Sequence, residues 1–121
     1  MKEKTIALVG VSENPEKYGF KIFKDLIAEG VNISGINPNG RAILGKKIYR
    51  SLKDLVELPD LVITVAPPNI TEKIVEECYQ LGVKEIWMQP GSESDAAIQK
   101  ARKYGIAAIH HACIMVQNGL W

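Results

Sequence analysis

The chain first offers backbone amides and a hydroxyl to an anion at a glycine-led turn, Gly10-Val11-Ser12. Gly10 lets backbone approach a phosphate closely, Ser12 adds a hydroxyl, and the helix predicted to follow lends the positive end of its dipole. The spacing departs from the G-x-G-x-x-G dinucleotide fingerprint, because Val11 and Ser12 follow Gly10 and a six-residue stretch, "ENPEKY", intervenes before Gly19. Small and polar groups recur further along, at Asn37-Pro38-Asn39-Gly40-Arg41, Ala66-Pro67-Pro68, Pro90-Gly91-Ser92 and His111-Ala112-Cys113. An NAD site carries Asp or Glu about 20 residues past the glycine turn to accept from ribose hydroxyls. This chain has Asn37-Pro38 there. Pro38 presents a flat apolar face to a purine and Arg41 a guanidinium to a phosphate, which favours an adenosine phosphorylated on its ribose over NAD. As a turn, "NPNG" is also explained by composition alone.

These groups lie where strands are predicted to end. Five apolar runs, Thr5–Val9, Asn32–Ile36, Leu61–Val65, Glu85–Gln89 and Ile106–His110, read as strands, several of them apolar almost throughout, as strands covered on both faces are. Three times an amphipathic stretch stops at a glycine, Gly30, Gly82 or Gly105, just before such a run. Gly19, Ile22, Phe23, Leu26 and Ile27 form the inner face of the first helix; Ile70, Ile74, Val75, Cys78 and Leu81 form that of the second. Asn69 with Glu72, and Ser92 with Asp95, have the spacing of reciprocal caps. The stretch "AILGKKIYRSLKDLVELPD" reads as a short edge strand and a short helix opened by Ser51. The expected fold is α/β, a Rossmann-like doubly wound parallel sheet in a three-layer sandwich, with main strand order 2-1-3-4-5 plus a short edge strand. It forms a single domain over residues 1–121, and ligands of such sheets bind outside the carboxyl ends of the strands.

A net charge of +1 and the absence of a polybasic run argue against nucleic acid and membrane surfaces, leaving small molecules or proteins as partners. No run approaches the ~20 apolar residues of a membrane span, and the opening apolar stretch is too short for a secretory signal, so a cytoplasmic protein is expected. Cys78 and Cys113 fit no disulfide framework or zinc spacing and are expected as free thiols. The apolar tail, "ACIMVQNGLW", is expected to pack back on the sheet or to join a homodimer interface.

Taken in order, "GVS" followed by "NP", then "INPNG", "LGKKIYRSLKDL", "VAPP", "WMQPGSES" and "ACIMV" resemble the small stand-alone CoA-binding proteins, whose fold is that of the CoA-binding domain in the succinyl-CoA synthetase α subunit. The resemblance covers nearly the whole chain and implies coenzyme A or an acyl-CoA as ligand. It implies a pyrophosphate near Gly10, Val11 and Ser12, with Lys17 and Gly19 closing the loop. Asn37, Pro38 and Arg41 would line the adenosine side; Arg41, as the cation at the end of the second strand, is expected to contact the ribose 3′-phosphate. Val65, Ala66 and Pro67 would edge the adenine and pantetheine path, and Gln89, Pro90 and Gly91 would flank the pantetheine. His110-His111 before the cysteine and the ending "VQNGLW" depart from the family pattern.

No nucleophile with an adjacent base, paired carboxylates or metal cluster can be assembled from the residues, so binding without catalysis is expected. Adjacent strand residues point to opposite faces, so His110 and His111 are not expected to share an ion. Cys113 is expected as a small apolar residue rather than a reactive thiol. Two rival readings stand beside this one. The first is an NADP-binding oxidoreductase or redox sensor with Arg41 on the 2′-phosphate, against which the missing fingerprint counts. The second is a regulatory or assembly subunit with a vestigial site and a docking tail.

Overall fold

In the computed structural model, which describes residues 1–121, the chain runs β1 (Thr5–Val9), α1 (Tyr18–Ala28), β2 (Asn32–Ile36), β3 (Ile48–Tyr49), a 3-10 turn (Leu52–Asp54), β4 (Leu61–Thr64), α2 (Pro68–Leu81), β5 (Glu85–Met88), α3 (Asp95–Lys103), β6 (Ala107–Ile109) and α4 (Ile114–Gln117). The strands make one parallel sheet in the order β3-β2-β1-β4-β5-β6. This is the expected 2-1-3-4-5 order with Ile48–Tyr49 added at the edge. Strand residues divide by parity between two apolar layers, as the pleat requires. Ile6, Leu8 and Ile63 pack with Ile22, Phe23, Leu26, Ile114 and Met115 on one face. Ala7, Val9, Val62, Ile86 and Met88 pack with Val75, Cys78, Ile98 and Ala101 on the other. No helix is long and apolar enough to cross a membrane.

The helix stops are as predicted: Gly30, Gly82 and Gly105 take positive φ, and Gly82 closes α2 by donating its amide to the Cys78 carbonyl at 3.0 Å. The predicted starts are not. Pro68 opens α2, where its missing N–H is no loss, so Asn69 lies inside the first turn and caps nothing. Ser94, not Ser92, caps α3 by accepting from the Ala97 amide at 3.0 Å. Ser92 is buried and accepts instead from the Ala66 amide at 3.1 Å, which ties the segments after β4 and β5 together. Ser51 does open the 3-10 turn, standing at its N-cap position, but its hydroxyl donates to Glu77 at 2.7 Å instead of capping an amide. The tail packs back on the sheet, burying Ile114 and Met115 in the core, and Trp121 donates its indole N–H to Asp25 at 2.7 Å.

Two glycines let three backbone segments touch at the end of β1. A Cβ on Gly10, whose φ is 102°, would lie 1.9 Å from the Val65 carbonyl oxygen, and one on Gly19 would lie 2.1 Å from the Gly10 carbonyl oxygen. Gly19 sits in a helix at ordinary φ, where alanine would normally gain about 1 kcal/mol. Gly19→Ala should nevertheless lower stability by about 2 kcal/mol in urea denaturation, the overpacking cost outweighing the propensity gain. Unchanged or raised stability would show that the contact does not constrain the fold. A second prediction concerns the thiols. Burial, and secondarily Glu77, push the Cys78 thiol up to about 12. At pH 8 an alkylating reagent should therefore modify Cys113 and spare Cys78 until the protein unfolds, and mass mapping of the labelled peptides checks it.

Candidate functional site

The carboxyl ends of the central strands carry three clefts. The largest, about 540 Å³, opens between the ends of β1 and β2 and the first turns of α2, with Gly10, Asn37, Pro38, Val65, Ala66 and Pro67 on its walls. A second, about 450 Å³, lies on the glycine-turn side and takes in Gly10, Val11, Ser12, Asn37, Pro38 and Arg41. The third, about 310 Å³, is lined by Tyr18, Val65, Gln89, Pro90, Cys113, Val116 and Trp121. Gly10, Asn37 and Pro38 belong to the first two clefts and Val65 to the first and third, so the three are neighbours along the rim. From β2 to β5 it crosses three inter-strand spacings, about 14 Å.

Local chemistry explains how each residue is held. The Asn37 side-chain oxygen, Oδ1, accepts from the Asn39 and Gly40 amides, each at 2.9 Å, and its Nδ2 donates to the Val11 carbonyl at 3.3 Å. Its side chain therefore fastens the turn and joins it to the glycine loop, leaving Pro38 at the surface. The Ser12 hydroxyl accepts from the Asn14 amide at 3.1 Å, a local turn that postpones α1 to Tyr18. The first turn of α1 still abuts this loop, since a Cβ on Gly19 would stand 3.3 Å from the Ser12 nitrogen. Arg41 is exposed, its guanidinium 3.8 Å from the Glu13 carboxylate. Gln89 is buried and both ends of its amide are engaged. Its oxygen accepts from the Ile114 amide at 2.7 Å, and its nitrogen contacts the Cys113 sulfur at 3.4 Å.

Eleven of the fourteen residues singled out from the sequence line the three clefts; Lys17, Gly19 and Gly91 do not. Lys17 is exposed immediately before α1, Gly19 is buried beneath Gly10, and Gly91 donates its amide to Glu93 at 3.0 Å. Sequence reasoning missed the α2 and edge-strand walls of the main cleft: Arg50, Ile70, Lys73, Ile74, Glu76 and Glu77. The parallel pairing of β3 with β2 brings Arg50 there, the Asn37 amide donating to the Tyr49 carbonyl at 3.0 Å. A hydrogen bond from the Tyr104 hydroxyl, with Lys100 adding to it, holds the Glu76 carboxyl below its ordinary range. The cleft wall thus mixes two cations with two carboxylates.

His110 and His111 do not point apart as strand residues would. β6 ends at Ile109 and His111 takes a φ of 59°, so the two imidazoles meet through their Nδ1 atoms. No third metal-ligating side chain joins them, and neither lines the three clefts. The one polar partner of the Cys113 thiol is the Gln89 amide, which is not a base.

Similar proteins include ligase subunits and chains of about this length. Over 122 residues the chain is 32% identical to the acetate–CoA ligase [ADP-forming] I subunit alpha of Pyrococcus furiosus, covering 85% of this chain and 26% of the subunit. It spans 12% to 27% of the length of the curated ligase relatives it matches. YneT of Bacillus subtilis is 27% identical and similar in length, with 98% of this chain and 88% of that protein aligned. Among solved structures, a conserved hypothetical protein from Pyrococcus furiosus superposes with a TM-score of 0.90 at 39% identity, covering 94% of this chain and 98% of that one. The match to the CoA binding domain family runs from residue 4 to residue 119, and the chain belongs to that family.

Proposed function

We propose that this chain binds coenzyme A or an acyl-CoA along the rim and has no catalytic activity of its own. The observation that carries the reading is the row of three neighbouring clefts across the strand ends of a CoA binding domain. In this reading Gly10, Val11 and Ser12 present backbone to the pyrophosphate, with the first turn of α1 alongside, and Arg41 adds charge on the same side. Lys17 and Gly19 act from behind that loop, Gly19 by letting α1 close on it. Asn37 and Pro38 flank the adenosine together with Val65, Ala66 and Pro67. Gln89 and Pro90 flank the pantetheine, and Gly91 shapes their turn. Binding requires only convergent amides, a flat apolar wall and a groove long enough for an extended ligand.

Two measurements test this. At about 100 times its dissociation constant CoA should stabilise the fold by about 2.7 kcal/mol, read as a raised melting temperature. A rise with NADP and none with CoA would instead favour the oxidoreductase reading. For catalysis, acetyl-CoA incubated with the protein, with and without ATP, should be recovered intact by mass spectrometry. Thioester loss that disappears in Cys113→Ser would make that thiol a catalytic group.

A further inference from the structure

We infer that the hollow between the Asn37–Gly40 turn and the edge strand is a subsite for a phosphomonoester on the ribose of the ligand, with Arg50 as its principal cation. The inference takes the choice of a 3′-ester from the CoA reading above. The hollow measures about 280 Å³, and Gly40, Lys47, Tyr49, Arg50 and Asp54 form most of its wall. Arg50 lines both this hollow and the main cleft, so one guanidinium borders the adenosine side and the space next to it.

Three observations single out Arg50. Its place is fixed by the sheet, because Tyr49, the last residue of β3, accepts the Asn37 amide and sets the next residue beside the Asn37–Pro38 turn. Its stem is fixed by Gly40, where a Cβ would come within 2.9 Å of the Arg50 Cγ and 3.0 Å of its Nε; the side chain lies across the turn in space that only glycine leaves. Its charge is uncommitted, for none of the ion pairs in the structure includes it. Lys47 adds a second cation, held 5.1 Å over the Tyr49 ring, against the single carboxylate of Asp54. Arg41, to which sequence reasoning assigned the ribose phosphate, borders the glycine-turn cleft instead and faces Glu13. A guanidinium with free N–H groups at a fixed position suits a phosphomonoester, which accepts two parallel charge-assisted hydrogen bonds.

Calorimetric titration of CoA, dephospho-CoA, NADP and NAD into the intact chain and into Arg50→Gln, Lys47→Gln and Arg41→Gln tests the assignment. The unaltered chain should prefer CoA to dephospho-CoA by about tenfold or more. That ratio should fall towards one in Arg50→Gln, fall partly in Lys47→Gln and persist in Arg41→Gln. Arg50→Lys should restore part of it, and melting temperatures of all the variants will show that these exposed substitutions leave the fold intact. A ratio that survives Arg50→Gln, or one abolished by Arg41→Gln, overturns the assignment while CoA binding stands. Equal affinity for CoA and dephospho-CoA in the unaltered chain overturns it as well. If neither CoA form binds but NADP exceeds NAD through Arg50, the phosphomonoester subsite stands and the CoA reading fails. If no ligand binds, both fail.

Discussion

The contact on which the rim depends is the meeting of three backbones at the end of β1, where Gly10 touches the Val65 carbonyl and Gly19 touches the carbonyl of Gly10. Side chains of any size at either position would separate β1 from β4 or lift α1 away from the sheet. Close packing then has two effects at once. It brings the loops after β1 and β4 together, so that their clefts lie side by side, and it sets the amino end of α1 against Ser12. The wider spacing of these glycines, compared with the standard fingerprint, follows from the same geometry: the turn at Ser12 and Asn14 takes up the extra residues before the helix starts. One glycine still serves the turn and another the helix contact, the roles that a tighter loop assigns to closely spaced residues.

Charge along the rim is distributed unevenly. The glycine-turn side carries Arg41 against Glu13, both exposed and screened by solvent, so that pair contributes little to stability. The α2 side carries Lys73 with Glu76 and Glu77, and the edge strand carries Lys47 and Arg50. The central strand ends, by contrast, are glycine, proline and alanine. A ligand that is neutral where it passes the central strand ends and anionic at the edge-strand end matches this order better than a compact anion does. The apolar aromatic walls supplied by Tyr18 and Trp121 at the third cleft extend the match to a neutral terminus.

Much of the architecture was legible in the sequence, because buried parallel strands and glycine-stopped helices leave strong local marks. Thr5–Val9 and Asn32–Ile36 appear at their predicted limits, and the strand order follows. Helix starts were misread at Asn69 and Ser92, because capping spacing is satisfied by chance in polar loops, and the competing signals, Pro68 at a first turn and Ser94 two residues on, decide the outcome. The glycine-rich side of the rim was legible for the same reason as the fold: backbone constraints show in residue type. Arg50 and the α2 wall were not. Their membership depends on which segments pair laterally, and a two-residue edge strand carries too little periodicity to reveal it. The histidines were misplaced by one assumption, that strand alternation continues past Ile109, where a left-handed residue ends it.

Gln89 gives the third cleft a mechanical property. Its amide is the clasp between the end of β5 and the segment that leads into α4, one end engaged with Ile114 and the other with Cys113. The carboxamide keeps one oxygen lone pair and one N–H in reserve, but the lone pair that faces Ile114 and the N–H that faces Cys113 are taken by the chain itself. A ligand that only packs against Pro90 and Val65 leaves the clasp shut. One that takes over the lone pair on Ile114 or the N–H on Cys113 loosens the anchorage of α4, and with it Met115 and the indole resting on Asp25. The terminal segment is in this sense an internal ligand of the site, and the affinity of that cleft for an external one is set by the difference between the two.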